Sequence, residues 1–220
     1  RPQVIKNYAE GNVERMYSLT FYTAKFSYML MLALVVPICC EIKFILHLWL
    51  GDAVPENTAL FAVLVLVTYT WRTFHIAALM PCHAIGNIKT GNVTIGSLMI
   101  ASLPIGYVLF KIGLPAYSVF LVIFAIEIVG MFAIYWLIHN YEYFPYLDIF
   151  RKILMPSTAV TLLTVALPLF IIHFMEEGWL RLILVCVSSE TTLGLSAFYI
   201  GLNKSERSRI ISLAKSKLKK

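Results

Sequence analysis

Residues 117–138 read YSVFLVIFAIEIVGMFAIYWLI, and Glu127 is the one charge among these 22 residues. As a helix rising about 1.5 Å per residue, the stretch reaches roughly 33 Å, enough to cross the ~30 Å hydrocarbon core of a bilayer. It has no polar face for water, so it reads as a helix surrounded by apolar material on every side. Tyr135 and Trp136 close it, as aromatic residues do at a membrane boundary.

Five further blocks of the same kind flank it. Phe26 to Cys40 continues through Glu41, Ile42 and Lys43 to Trp49 and Leu50, where Gly51-Asp52 stops the helix. Thr58 to Leu79 follows, with helix extending to Ile85, and then Val93 to Phe110. Beyond the 117–138 block come Ile153 to Phe174 and Trp179 to Ile200. The predicted fold class is therefore all-α, a polytopic integral membrane protein of about six transmembrane helices. Residues 1–25 are expected as a cytoplasmic amphipathic segment, because Val13, Met16, Tyr17 and Phe21 suit a helix lying at the interface. Residues 26–138 then hold four spans, 139–152 an aromatic cytoplasmic connector, 153–201 the last pair of spans, and 202–220 a basic tail. Pro37, Pro104 and Pro168 are expected to kink their helices.

The composition agrees. Sixty per cent of the 220 residues are hydrophobic and 14% are charged, against about 45–50% and about 25% in soluble domains. Mean hydropathy is +0.79. The net charge of +6 is concentrated: seven of the last seventeen residues are Lys or Arg. Directly after a span, such a tail reads as a cytoplasmic end against anionic lipid rather than a nucleic-acid arm. With six spans and the N-terminus inside, fourteen Lys/Arg fall on the cytoplasmic side and three (Lys43, Lys111, Arg181) on the other, so both ends are expected in the cytoplasm. The opening Arg1-Pro2-Gln3, without Met or a signal peptide, reads as the interior of a longer protein. Cys39, Cys40, Cys82 and Cys186 lie in apolar surroundings with no metal-binding spacing and read as small hydrophobes.

Charge inside a span is costly, so it marks structure or function. Arg72 stands in the second span, with His75 three residues on and Thr68 four before, all on one helical face. A guanidinium in a dry cavity suits phosphate or pyrophosphate through paired hydrogen bonds; a structural ion pair is the alternative. Glu127 needs a cation or a proton, and Arg72 is the natural partner, either static or displaced by an anionic substrate. Glu190, in Ser188-Ser189-Glu190-Thr191-Thr192, either lines a lumen with the substrate or joins helices as a polar contact. The candidate substrate-binding residues are thus Arg72, His75, Glu127 and Glu190. His47, His83, His139 and His173 fall near span ends, and no two histidines stand at i, i+4 for a metal. No nucleophile elbow, phosphate loop or zinc-protease motif is present, so no enzyme, metal or cofactor is expected.

Short motifs in order resemble one family. Arg1-Pro2-Gln3-Val4 with Tyr8-Ala9-Glu10-Gly11, then Ile45-Leu46-His47-Leu48-Trp49-Leu50-Gly51, Ala84-Ile85-Gly86-Asn87-Ile88-Lys89, Leu103-Pro104-Ile105-Gly106-Tyr107, Gly113-Leu114-Pro115 and Gly201-Leu202-Asn203-Lys204-Ser205-Glu206-Arg207 are similar to marks of polysaccharide flippases. These belong to the MATE-like multidrug/oligosaccharidyl-lipid/polysaccharide exporter superfamily. The resemblance covers nearly the whole chain and corresponds to the family's C-terminal half. It implies transport of undecaprenyl-pyrophosphate-linked oligosaccharide, an O-antigen or capsular repeat unit, across the bacterial inner membrane. The implied partners are that lipid-linked oligosaccharide, membrane lipids, an N-terminal lobe, and a polysaccharide polymerase or glycosyltransferases; nucleic acid is not among them. Family members have two pseudo-symmetric lobes, and this chain supplies one. The alternative is a self-contained six-helix scaffold or assembly subunit for polysaccharide biosynthesis.

Overall fold

A computed structural model describes residues 2–141, 146–203, 206–208 and 212. Residues 142–145 of the aromatic connector, most of the basic tail, and Arg1 lie outside the described residues.

Helices form over the long apolar runs and continue through Pro81, Pro104 and Pro168, and turns form where Gly, Pro and polar residues gather. The elements in chain order are α1 (Pro2–Ala9), α2 (Val13–Cys40), α3 (Ile42–Leu50), α4 (Thr58–Ala84), α5 (Ile88–Lys111), α6 (Tyr117–Tyr141), the single turn α7 (Tyr146–Ile149), α8 (Met155–Phe174) and α9 (Trp179–Ser196). Wider π-helical turns, Phe150–Leu154 and Ala197–Gly201, precede α8 and follow α9. No strand occurs among the described residues. Six helical stretches are long and apolar enough to cross a bilayer, and the chain is an all-α, multi-pass membrane protein. Large side chains stand exposed in numbers that water would not tolerate, among them Leu103 at 73% and Leu162 at 68%. Trp49, Trp136 and Trp179 are exposed at helix ends, where indole rings favour the headgroup region.

The first span differs from the sequence expectation at both ends. Residues 13–25 do not form a separate interfacial helix. One helix runs from Val13 to Cys40, since nothing before Pro37 interrupts it. Met16, Tyr17, Thr20, Phe21 and Ala24 are buried, spaced to give α2 an inward face already in its first turns. Lys25, which reads as a helix-ending charge, is buried because its ammonium meets Glu206 Oε2 at 2.7 Å and the Gly201 carbonyl at 3.2 Å. The break comes instead at Glu41, whose backbone (φ −109°, ψ 19°) leaves the helix four residues after Pro37. There α3 starts on a new axis.

α2 is the strut of the bundle. Its first half shares a core with α4 and α6, in which Met16, Tyr17 and Phe21 join Ala78, Met131 and Ile134. Its second half, through Met29, Leu32 and Val36, packs on Val160 of α8 and Leu193 of α9. α5 leans on α6, and α8 pairs with α9. Two helix groups, α4–α5–α6 and α8–α9, are thus joined along α2. Between them an apolar groove of about 410 Å3 runs over α2, lined by Leu32, Val36, Val67, Trp71, Val165 and Leu169.

Candidate functional site

α4 and α6 bring three of the four sequence-predicted residues together. The midpoint of Thr58–Ala84 is residue 71 and that of Tyr117–Tyr141 is residue 129, so Arg72 and Glu127 meet near the middle of both helices. Glu127 is 1% exposed and His75 is 2% exposed. The Glu127 carboxylate divides its two oxygens. Oε2 stands 2.7 Å from His75 Nδ1, and Oε1 stands 3.5 Å from Arg72 Nε. The His75 contact is short and enclosed. The Arg72 contact is long, and the Arg72 side chain is 37% exposed.

Gly130, one turn along α6 from Glu127, makes room for this arrangement. A Cβ there would come within 3.2 Å of Ile95 Cδ1 and 3.9 Å of the His75 ring. With Nδ1–H donating to the carboxylate, the imidazole turns Nε2 away as a lone-pair nitrogen. That Nε2 is buried and has no hydrogen-bond partner among the described residues. Thr68, also on this face, spends its hydroxyl on the Leu64 carbonyl at 2.6 Å.

Arg72 opens into a cavity of about 270 Å3 lined by Thr68, Tyr69, Met99, Phe120, Ile123 and Glu127. Its guanidinium carbon lies 5.5 Å from the centre of the Tyr69 ring, which supports the cation on a π face. The nearest approach of Arg72 to Glu127 is through Nε, and the guanidinium makes no hydrogen bond among the described residues. A planar fork held this loosely beside a cavity is suited to an anion with paired oxygens. With neutral His75 the three side chains sum to zero charge, and protonated His75 makes them net positive. The cluster can therefore bind an anion, take a proton, or couple the two.

Glu190 is not part of this assembly. It lies exposed on the outer side of α9, a helix that packs mainly on α8 and α2. The polar run around it is divided. Ser188, Ser189 and Thr192 turn inward and hydrogen-bond largely to their own helix, and Thr192 also reaches the Thr164 carbonyl of α8 at 3.5 Å. Glu190 and Thr191 turn outward.

Two buried ionic contacts have no counterpart in the sequence reading. Arg181 grips Glu41 with two hydrogen bonds, Nε to Oε1 at 2.9 Å and Nη2 to Oε2 at 2.8 Å, and donates a third to the Met175 carbonyl at 3.1 Å. The other is the Lys25–Glu206 contact at 2.7 Å. A carboxylate within an apolar block, as Glu41 is, was the available signal for the first. Nothing local pointed to the second. No group of three His, Cys, Asp or Glu side chains placed to hold a metal occurs among the described residues.

No family model, curated protein or solved structure matches the chain.

Proposed function

We propose that this chain is the C-terminal lobe of a transporter that moves an undecaprenyl-pyrophosphate-linked oligosaccharide, an O-antigen or capsular repeat unit, across the bacterial inner membrane. The single observation that carries the reading is the Arg72 guanidinium midway along α4, with no hydrogen bond among the described residues and its side chain 37% exposed beside a cavity. The ordered motifs from Arg1 to Arg207 point to the same substrate class. In this reading the pyrophosphate draws Arg72 from its long contact with Glu127 and receives a paired hydrogen bond. His75 takes a proton on its unpartnered Nε2, compensating the incoming negative charge. Glu127 holds Arg72 and the neutral His75 in place between cycles. Both ends of the chain face the cytoplasm, in keeping with the fourteen-to-three division of Lys and Arg.

Arg72→Ala is expected to abolish surface polysaccharide in cells that depend on the transporter, with the protein still in the membrane at normal abundance. Arg72→Lys is expected to retain part of the activity, because a point charge replaces a fork. Immunoblotting of the surface glycan and of membrane fractions checks both. Normal polysaccharide in the Arg72→Ala strain would remove Arg72 from the mechanism.

A further inference from the structure

Glu190 stands at the centre of the span Trp179–Gly201, eleven residues from either end, or about 16 Å at a helical rise of 1.5 Å. Mid-membrane is where an uncompensated charge is least tolerated. Elsewhere this chain answers its buried span charges: Lys25 with Glu206, Glu41 with Arg181, and Glu127 with His75 and Arg72. Glu190 has no hydrogen bond or ion pair among the described residues, and its side chain is exposed on the outside of the bundle. Protonation would not resolve the mismatch, since a carboxylic acid in hydrocarbon still lacks partners for its O–H and C=O.

The surface around it is built for close approach. Gly194 lies one turn on, and a Cβ placed there would meet nothing within 4 Å, so the backbone is open. Thr191 is exposed next to Glu190, and Val187 and Ile183 continue the same stripe one and two turns back. A polar residue flanked by small ones is how helices associate in lipid, where backbones must approach and a hydrogen bond supplies the preference.

We propose that this outer face of α9 docks a transmembrane helix that carries a lysine or arginine at mid-depth. The charge of Glu190 selects the occupant. A second copy meeting α9 to α9 would set Glu190 against Glu190, and like charges in a low-dielectric medium repel. Arg72, the chain's own mid-membrane guanidinium, is turned to Glu127 and its cavity. The docked helix is therefore a different one, matched by charge and seated over Gly194.

The full chain reconstituted in phosphatidylcholine vesicles tests this with synthetic polyleucine transmembrane peptides whose central residue is lysine or leucine. Energy transfer between labelled peptide and labelled protein reads the binding. The lysine peptide is expected to bind about tenfold more tightly than the leucine peptide, the scale of one membrane-embedded polar contact. Glu190→Gln is expected to erase the difference. A benzophenone at Val187 is expected to crosslink the lysine peptide, and one at Leu162, on the lipid-facing side of α8, is not. Equal binding of the two peptides, a lysine preference that survives Glu190→Gln, or equal crosslinking from both positions would overturn the proposal. So would rapid labelling of Glu190→Cys by a hydrophilic maleimide, which would put Glu190 in a water-filled path instead.

Discussion

Glu127 offers one carboxylate oxygen to each of two basic side chains, and the two contacts are unequal. The His75 contact is 2.7 Å long between side chains that are 3% and 1% exposed; the Arg72 contact is 3.5 Å, and Arg72 is 37% exposed. A short contact in a medium of low dielectric is stronger than a long one open to a cavity. Double-mutant cycles on thermal stability are expected to give a coupling of about 1–3 kcal/mol for His75–Glu127 and under about 1 kcal/mol for Arg72–Glu127. The ordering matters more than the values: the proposed role requires Arg72 to be the looser partner, free to leave for substrate. The reverse ordering would make the Arg72 pair a static clamp. These three residues were legible in the sequence because an ionisable side chain in an apolar block is rare, and i, i+3 spacing puts Arg72 and His75 on one face. The division of the carboxylate between them was not legible, because it depends on the rotation of α6 and on the space left at Gly130.

At the level of elements, the most demanding contact is Arg181–Glu41, which ties the break between α2 and α3 to the first turn of α9. Both groups are buried, at 6% and 1% exposure. Removing Arg181 leaves Glu41 an uncompensated buried charge, and removing Glu41 leaves Arg181 only the half-exposed Glu177 at 3.7 Å, whereas removing both leaves mainly packing to repair. Arg181→Met alone and Glu41→Met alone are each expected to cost about 3–5 kcal/mol, and the double variant markedly less. Thermal unfolding of the purified protein in detergent checks this; additive losses would mean that the pair is not coupled. The six spans themselves follow from hydropathy, and most predicted borders lie within a few residues of the helices. The exception is instructive. Lys25 reads as a helix end and Glu41 as mid-helix, but the helix runs through the first and breaks at the second. In both cases the deciding partner, Glu206 or Arg181, lies far along the chain, beyond the reach of any local pattern.

Over the whole molecule, α2 joins α4–α5–α6 to α8–α9, and the anion-suited cavity belongs to the first group alone. Apart from the α4–α6 pairing that Arg72 and Glu127 indicate, which helices pair was not readable from the sequence, because the apolar remainder of each span names no neighbour. What was readable was the placement of charge within the spans. The flippase reading stands on one claim about that placement: Arg72 holds a lipid pyrophosphate within the bilayer. Equilibrium binding of undecaprenyl pyrophosphate, against undecaprenol, to the chain in phosphatidylethanolamine/phosphatidylglycerol nanodiscs measures it directly. The pyrophosphate lipid is expected to bind in strong preference to the alcohol, and Arg72→Ala to weaken it by about tenfold or more, the value of a lost paired charge-assisted contact. Equal binding of the two lipids, or undiminished binding to Arg72→Ala, would contradict it.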